Sequence, residues 1–174
     1  MYGVVPYFVA KDIVQLPLNI LLPFLFSLLY FGIGENITIP QFLIFFMVNM
    51  MIGFATTAYG QVIGTIFDSS ETACYFAPIL MMPFVLFSGF FTNVESFPKW
   101  IGWVQYISPV RYGLECAVRN EFEGYKMQLF IPNPITYLNF KLGMPLCIIM
   151  LFVTTYGLKV LACFCLKFLI KKFQ

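Results

Sequence analysis

The 174-residue sequence contains no histidine. That absence excludes Ser-His and Cys-His catalysis, metal and haem sites held by imidazole, and intramembrane proton relays built on histidine. Charge is scarce as well. Asp, Glu, Lys and Arg make up 10% of the chain, against roughly 25% in soluble domains. The net charge of +2 is too small, and the basic residues too scattered, for a nucleic-acid footprint. No GxxxxGK[ST] phosphate loop occurs, so the chain cannot itself hydrolyse ATP by that route. No basic segment followed by a short apolar run opens the sequence, because Met1 leads into Tyr2-Gly3-Val4-Val5-Pro6, so no signal peptide is read there.

Apolar residues dominate what is present: 60% of the chain is hydrophobic and 20% aromatic, with a mean hydropathy of +0.86. A membrane-crossing helix needs about 20 mainly apolar residues, and four runs meet that description, at residues 13–34, 42–67, 72–91 and 142–166. The expected fold is an all-α, polytopic membrane helix bundle of four transmembrane helices. Pro17 and Pro23 are expected to kink the first helix, which bundled helices tolerate. Gly60 and Gly64 form a GxxxG pair that permits close helix approach. The turn Asp68-Ser69-Ser70-Glu71 offers N-cap and dipole-complementing groups to the third helix. Lys159, near the end of the fourth run, is placed to snorkel to the interface.

The basic residues Lys159, Lys167, Lys171 and Lys172 cluster at the C-terminal end, which the positive-inside rule places in the cytosol. Four crossings then put the N-terminus and the 68–71 turn inside, and the 35–41 turn and residues 92–141 outside. The five basic residues of the outer segment run against this orientation, but a folded segment's charges count less than those of a short flexible loop. Asn36-Ile37-Thr38 is a glycosylation sequon close to a span end. Of the five cysteines, only Cys116 lies in the outer segment, leaving a bond to a partner chain open for it. Cys163 and Cys165 near the tail lysines fit either packing or palmitoylation.

The stretch 87–122 carries the most information. It is too polar to cross a bilayer and too rich in Trp, Tyr and Phe for a solvated loop, as expected of backbone that dips into a membrane. Ser96-Phe97-Pro98 and Ser108-Pro109 both read as helix starts, giving two short re-entrant extracellular helices at 98–107 and 109–120. Trp100, Trp103 and Tyr106 form an aromatic stripe on the first. On the second, Arg111, Glu115 and Arg119 stand at i, i+4 and i+8, spaced for a ladder of ion pairs. The ladder is either a solvated face or a partly buried tie that holds the re-entrant helices to the bundle. On the second reading Glu115→Ala is more damaging than Glu35→Ala.

The chain resembles the membrane domain of ABC transporters of subfamily G, the White-type half-transporters. The markers are Tyr7-Phe8, Ala10-Lys11-Asp12, Leu16-Pro17, Phe87-Ser88-Gly89, Trp100, Trp103, Tyr106, Ser108-Pro109, Arg111-Tyr112-Gly113 and Asn120-Glu121-Phe122. The resemblance implies a partial ABC-2-type domain over residues 1–174, whose four spans correspond to the third to sixth of six helices. It places the first two helices and the ATP-binding domain, with its ATP and magnesium, before Met1; no cofactor is expected in this chain. It also implies alternating access in a homo- or heterodimer within a plasma or intracellular membrane. Pro78, Met82 and Val85 become cavity-lining residues for a lipid, sterol or other hydrophobic or amphipathic substrate. Phe90 and Phe91 become a gate or plug, or else two aromatics that anchor a helix end at the interface.

The alternatives are a non-transporting scaffold or passive channel subunit, or a degenerate transporter fragment. An intramembrane enzyme is disfavoured, since no nucleophile-base pair or metal cluster is present.

Overall fold

The computed structural model describes residues 4–34, 37–67, 69–90, 102–122, 135, 138 and 142–173. Among the described residues every regular element is an α-helix: α1 (Val4–Ile33), α2 (Ile39–Ile66), α3 (Ser70–Leu86), α4 (Val104–Ile107), α5 (Pro109–Phe122) and α6 (Met144–Phe173). Helices α1, α2 and α6 are long and apolar enough to cross a membrane. The 17-residue α3 stops short of the expected 72–91 span, for a local reason. Ser88 Oγ donates to the Val85 carbonyl at 2.6 Å, and Gly89 follows with φ of 94°, a left-handed conformation that glycine adopts without strain and that ends helices. At its other end α3 is capped as its sequence suggested, with Ser69 Oγ accepting from the Thr72 amide at 3.2 Å.

α1 starts earlier than residue 13 and runs on through Pro17 and Pro23. Lys11 and Asp12, whose charges interrupt the apolar run, lie within it. The Gly60-Gly64 pair serves no close approach in this chain, since a Cβ at either would meet open space. The approach is made at Gly53 instead, where a Cβ would lie 3.7 Å from Pro23 Cγ. Of the first cap helix, residues 98–101 lie outside the described set, and the remainder is the single turn α4. The second begins at Pro109 as expected and extends two residues past 120.

α2 is the central helix, in contact with α1, α3, α5 and α6. The cap helix α5 wedges between α2 and α6, where Tyr112 packs with Met51 and Leu151 and Cys116 packs with Val48 and Cys147. Met51 stands twelve residues along α2 from Ile39, about 18 Å at 1.5 Å per residue. α5 therefore reaches to the level of the middle of α2 rather than resting on its end. Gly113 makes this possible, because a Cβ there would stand 2.6 Å from Ile52 Cγ1. A third cluster, Phe8, Val62 and Ala162, closes the opposite end of the bundle.

Lipid tails are as apolar as leucine, so helices within a bilayer gain little from burying apolar surface against one another. Packing and polar contacts decide the arrangement. The polar contacts of this bundle therefore carry more structural meaning than their number suggests.

Candidate functional site

Pro78, Met82 and Val85, spaced four and three apart, share one face of α3. All three are exposed, and α3 as a whole has no buried residue. The face leads to the Ser88-Gly89 turn, where both residues are buried and Phe90 is 63% exposed. The turn is held by its own serine, whose Oγ accepts from the Phe90 amide at 3.4 Å. Phe91, Trp100 and Asn36 lie outside the described residues. Trp103 and Tyr106 lie at and in α4, both exposed.

The cap is tied to three neighbours. Ser108 Oγ donates to the Phe84 carbonyl at 2.8 Å, joining the start of α5 to the last turn of α3. Asn120 Nδ2 donates to the Gln41 carbonyl at 2.9 Å, and Gln41 Nε2 returns a bond to the Asn120 carbonyl at 3.3 Å, which fastens the end of α5 to the start of α2. Between them Glu115 Oε1 accepts the Leu142 amide at 2.7 Å, tying the middle of α5 to the chain entering α6. Glu115 also pairs with Arg119, Oε1 to Nη2 at 3.6 Å.

Glu115 is 0% exposed. Burial pushes its carboxyl above the ordinary carboxylate value, opposed by the Leu142 amide and by the Arg119 and Arg111 charges. The ladder is thus a buried tie rather than a solvated face, with one change from the spacing argument. Arg111 donates to Gln105 Oε1 across the α4–α5 junction instead of to Glu115. Its guanidinium also sits 5.3 Å from the centre of the Tyr106 ring, a cation–π distance.

A second polar site escaped the sequence reading. Asp12 Oδ2 accepts from Lys159 Nζ at 2.6 Å, and Asp12 Oδ1 accepts from Gln61 Nε2 at 2.8 Å. Lys159 Nζ also lies 5.8 Å from the centre of the Phe54 ring. Lys159 therefore does not simply snorkel to the interface: it joins α6 to α1 and α2 inside stretches apolar enough to span a membrane. The triad borders a cavity of about 550 Å³ whose walls include Phe8, Val9, Tyr156 and Phe164. No motif could reveal a pair whose members stand 147 positions apart. The signal available was an Asp at the edge of one apolar run and a Lys inside another, where charges must be paired.

Residues 1–122 match the ABC-2 type transporter family. Protein white of Ceratitis capitata is 31% identical over 127 residues, covering 72% of this chain and 19% of that protein. ABC transporter G family member 7 of Arabidopsis thaliana is 29% identical over 126 residues, 72% of this chain and 17% of its own length. ABC multidrug transporter atrA of Aspergillus oryzae is 28% identical over 127 residues, 71% of this chain and 9% of its own. The chain spans less than a fifth of the length of these curated relatives.

Proposed function

The chain belongs to the ABC-2 type transporter family, and from that premise we propose that it is the translocation portion of an ATP-driven exporter of subfamily G. Its substrate is a lipid, a sterol or another hydrophobic or amphipathic molecule. The observation that carries this reading is α3, an apolar helix with no buried residue that ends beneath the cap at the Gly89 turn. Phe76 and Phe84 pack on Phe67 and Tyr59, and Phe84 and Ser108 fix the outer end. A helix held in this way that leaves most of its surface uncovered suits the wall of a path shared with a second transporter half. The Pro78, Met82 and Val85 face offers apolar and thioether contacts, which adapt to greasy ligands of varied shape.

On this reading Phe90, with Phe91, closes the outer end of that path, and the docked cap fixes where the closure sits. ATP and magnesium act in a nucleotide-binding domain, which drives the two halves between inward-open and outward-open states. The membrane domain supplies only the path and the gate.

The test is basal ATPase activity and efflux of the full-length transporter carrying Phe90→Ala, Phe91→Ala or both. A gate predicts a several-fold loss of net efflux with ATPase retained or raised, because hydrolysis continues while the exit no longer seals. Unchanged efflux with unchanged ATP coupling would reject the gate.

A further inference from the structure

Cys116 belongs to the cap helix α5 and Cys147 to the first turn of α6, yet the two meet in one buried cluster floored by Val48 of α2. Their exposures are 1% and 0%, which takes Cys116 out of reach of a partner chain. The Cys116 thiol donates toward the Met144 carbonyl at 3.8 Å, one turn before Cys147 on α6, and both cysteines are free thiols in the structure. The helices that carry them are pinned on either side of the pair, by Glu115 to Leu142 and by Asn120 to Gln41. Disulfides form where two sulfurs are already brought face to face with little backbone movement.

We propose that Cys116 and Cys147 are joined by a disulfide in the mature protein, a covalent latch between the cap helix and the last span. The proposal rests on the orientation that places the cap on the outer, oxidising side of the membrane. Formation converts two thiols into one S–S bond and releases two protons and two electrons. A disulfide oxidant, such as glutathione disulfide or a thiol–disulfide exchange protein of the secretory lumen, accepts both electrons and departs as two thiols. The Cys116 thiolate attacks a sulfur of the oxidant, and Cys147 then displaces the oxidant's second thiol from the mixed disulfide.

Once α5 is seated, the apolar shell of Ile44, Ile52, Leu142, Met144 and Ile148 closes over both sulfurs. The mixed disulfide on Cys116 therefore forms before α5 is seated, and Cys147 displaces the oxidant's thiol as α5 docks and brings the pair together. After docking, the same shell keeps reductants out, so the bond resists reduction until the cap unfolds.

The test is differential alkylation of the full-length transporter purified from membranes. Iodoacetamide is applied under denaturing, non-reducing conditions; reduction and N-ethylmaleimide follow; peptides are read by mass spectrometry. The expected result is iodoacetamide on the exposed Cys74 and N-ethylmaleimide on Cys116 and Cys147, together with a Cys116–Cys147 cross-linked peptide from unreduced digests. In folded protein that cross-link should survive a water-soluble phosphine that removes it after denaturation. Iodoacetamide on both residues, or Cys116 linked to any other cysteine, overturns the proposal. Labelling of Glu35→Cys on intact cells by a membrane-impermeant maleimide reads the orientation separately. A reduced pair in a cap that faces outward therefore refutes the latch, whereas an unlabelled Glu35→Cys refutes the orientation.

Discussion

Replacing Glu115 by alanine is expected to leave the transporter trapped before maturation, while Glu35→Ala behaves as the native protein. The substitution removes the acceptor of the Leu142 amide and one partner of Arg119 from a position with no solvent exposure. A buried amide without an acceptor costs about 1–3 kcal/mol, and breaking a buried ion pair from one side costs about 3–5 kcal/mol. The losses overlap, so a total of about 3–5 kcal/mol is expected, a large fraction of the roughly 5–15 kcal/mol that holds a typical domain folded. Glu115→Gln separates the two contributions, because its amide oxygen still accepts from Leu142 while its charge is gone. Yield of folded, surface-delivered protein should therefore rank native, then Gln, then Ala. Near-native yield of Glu115→Ala would show that the cap does not depend on this tie.

Removing one member of the Asp12–Lys159 pair should also be damaging, and removing both should restore much of the loss. Lys159→Met leaves an Asp12 carboxylate held by Gln61 alone; Asp12→Asn leaves the ammonium facing the Phe54 ring. A lone charge at the centre of a membrane helix costs about 2.5–3.5 kcal/mol on insertion scales. Asp12 lies toward the end of its span and the pair is partly exposed, so each single variant should lose less than that. In Asp12→Asn/Lys159→Met no charge remains to be paired. Even fully buried pairs replaced by neutral side chains of similar size are often tolerated, so replacement of this half-buried pair should be as well. Melting temperatures of the purified full-length protein in lipid nanodiscs provide the comparison. A double variant no more stable than the worse single one would contradict the pairing.

The two sites differ in how far the sequence exposed them. Hydropathy marked α1, α2 and α6 because a bilayer demands unbroken apolar length, whereas α3, expected as a fourth span, is a shorter apolar helix of 17 residues. Ser108-Pro109 marked the start of α5 because proline suits a helix's first turn. Helix ends shifted where a local contact outweighed hydropathy, as at Gly89, which stops α3, and at Asp12, which α1 accommodates by pairing it. The i, i+4 spacing located Arg111, Glu115 and Arg119 on one helix, but could not foresee that Gln105, across a junction, would take Arg111. Asp12 with Lys159, Asn120 with Gln41 and Cys116 with Cys147 are contacts between distant segments. Their partners are chosen by how the helices dock, which leaves no periodic trace in the chain.

State-dependent labelling of α3 tests the proposed transport path most directly. In full-length transporter with the exposed Cys74 replaced by serine, Met82→Cys is compared with Leu29→Cys on the exposed surface of α1, using a water-soluble maleimide applied from the cytosolic side. The path reading predicts that Met82→Cys reacts in the nucleotide-free protein, is protected by a transported substrate, and stops reacting when the transporter is trapped with ATP, while Leu29→Cys stays unreactive throughout. A Met82→Cys as inert as Leu29→Cys in both states would mean that this face of α3 meets lipid, not a transport path.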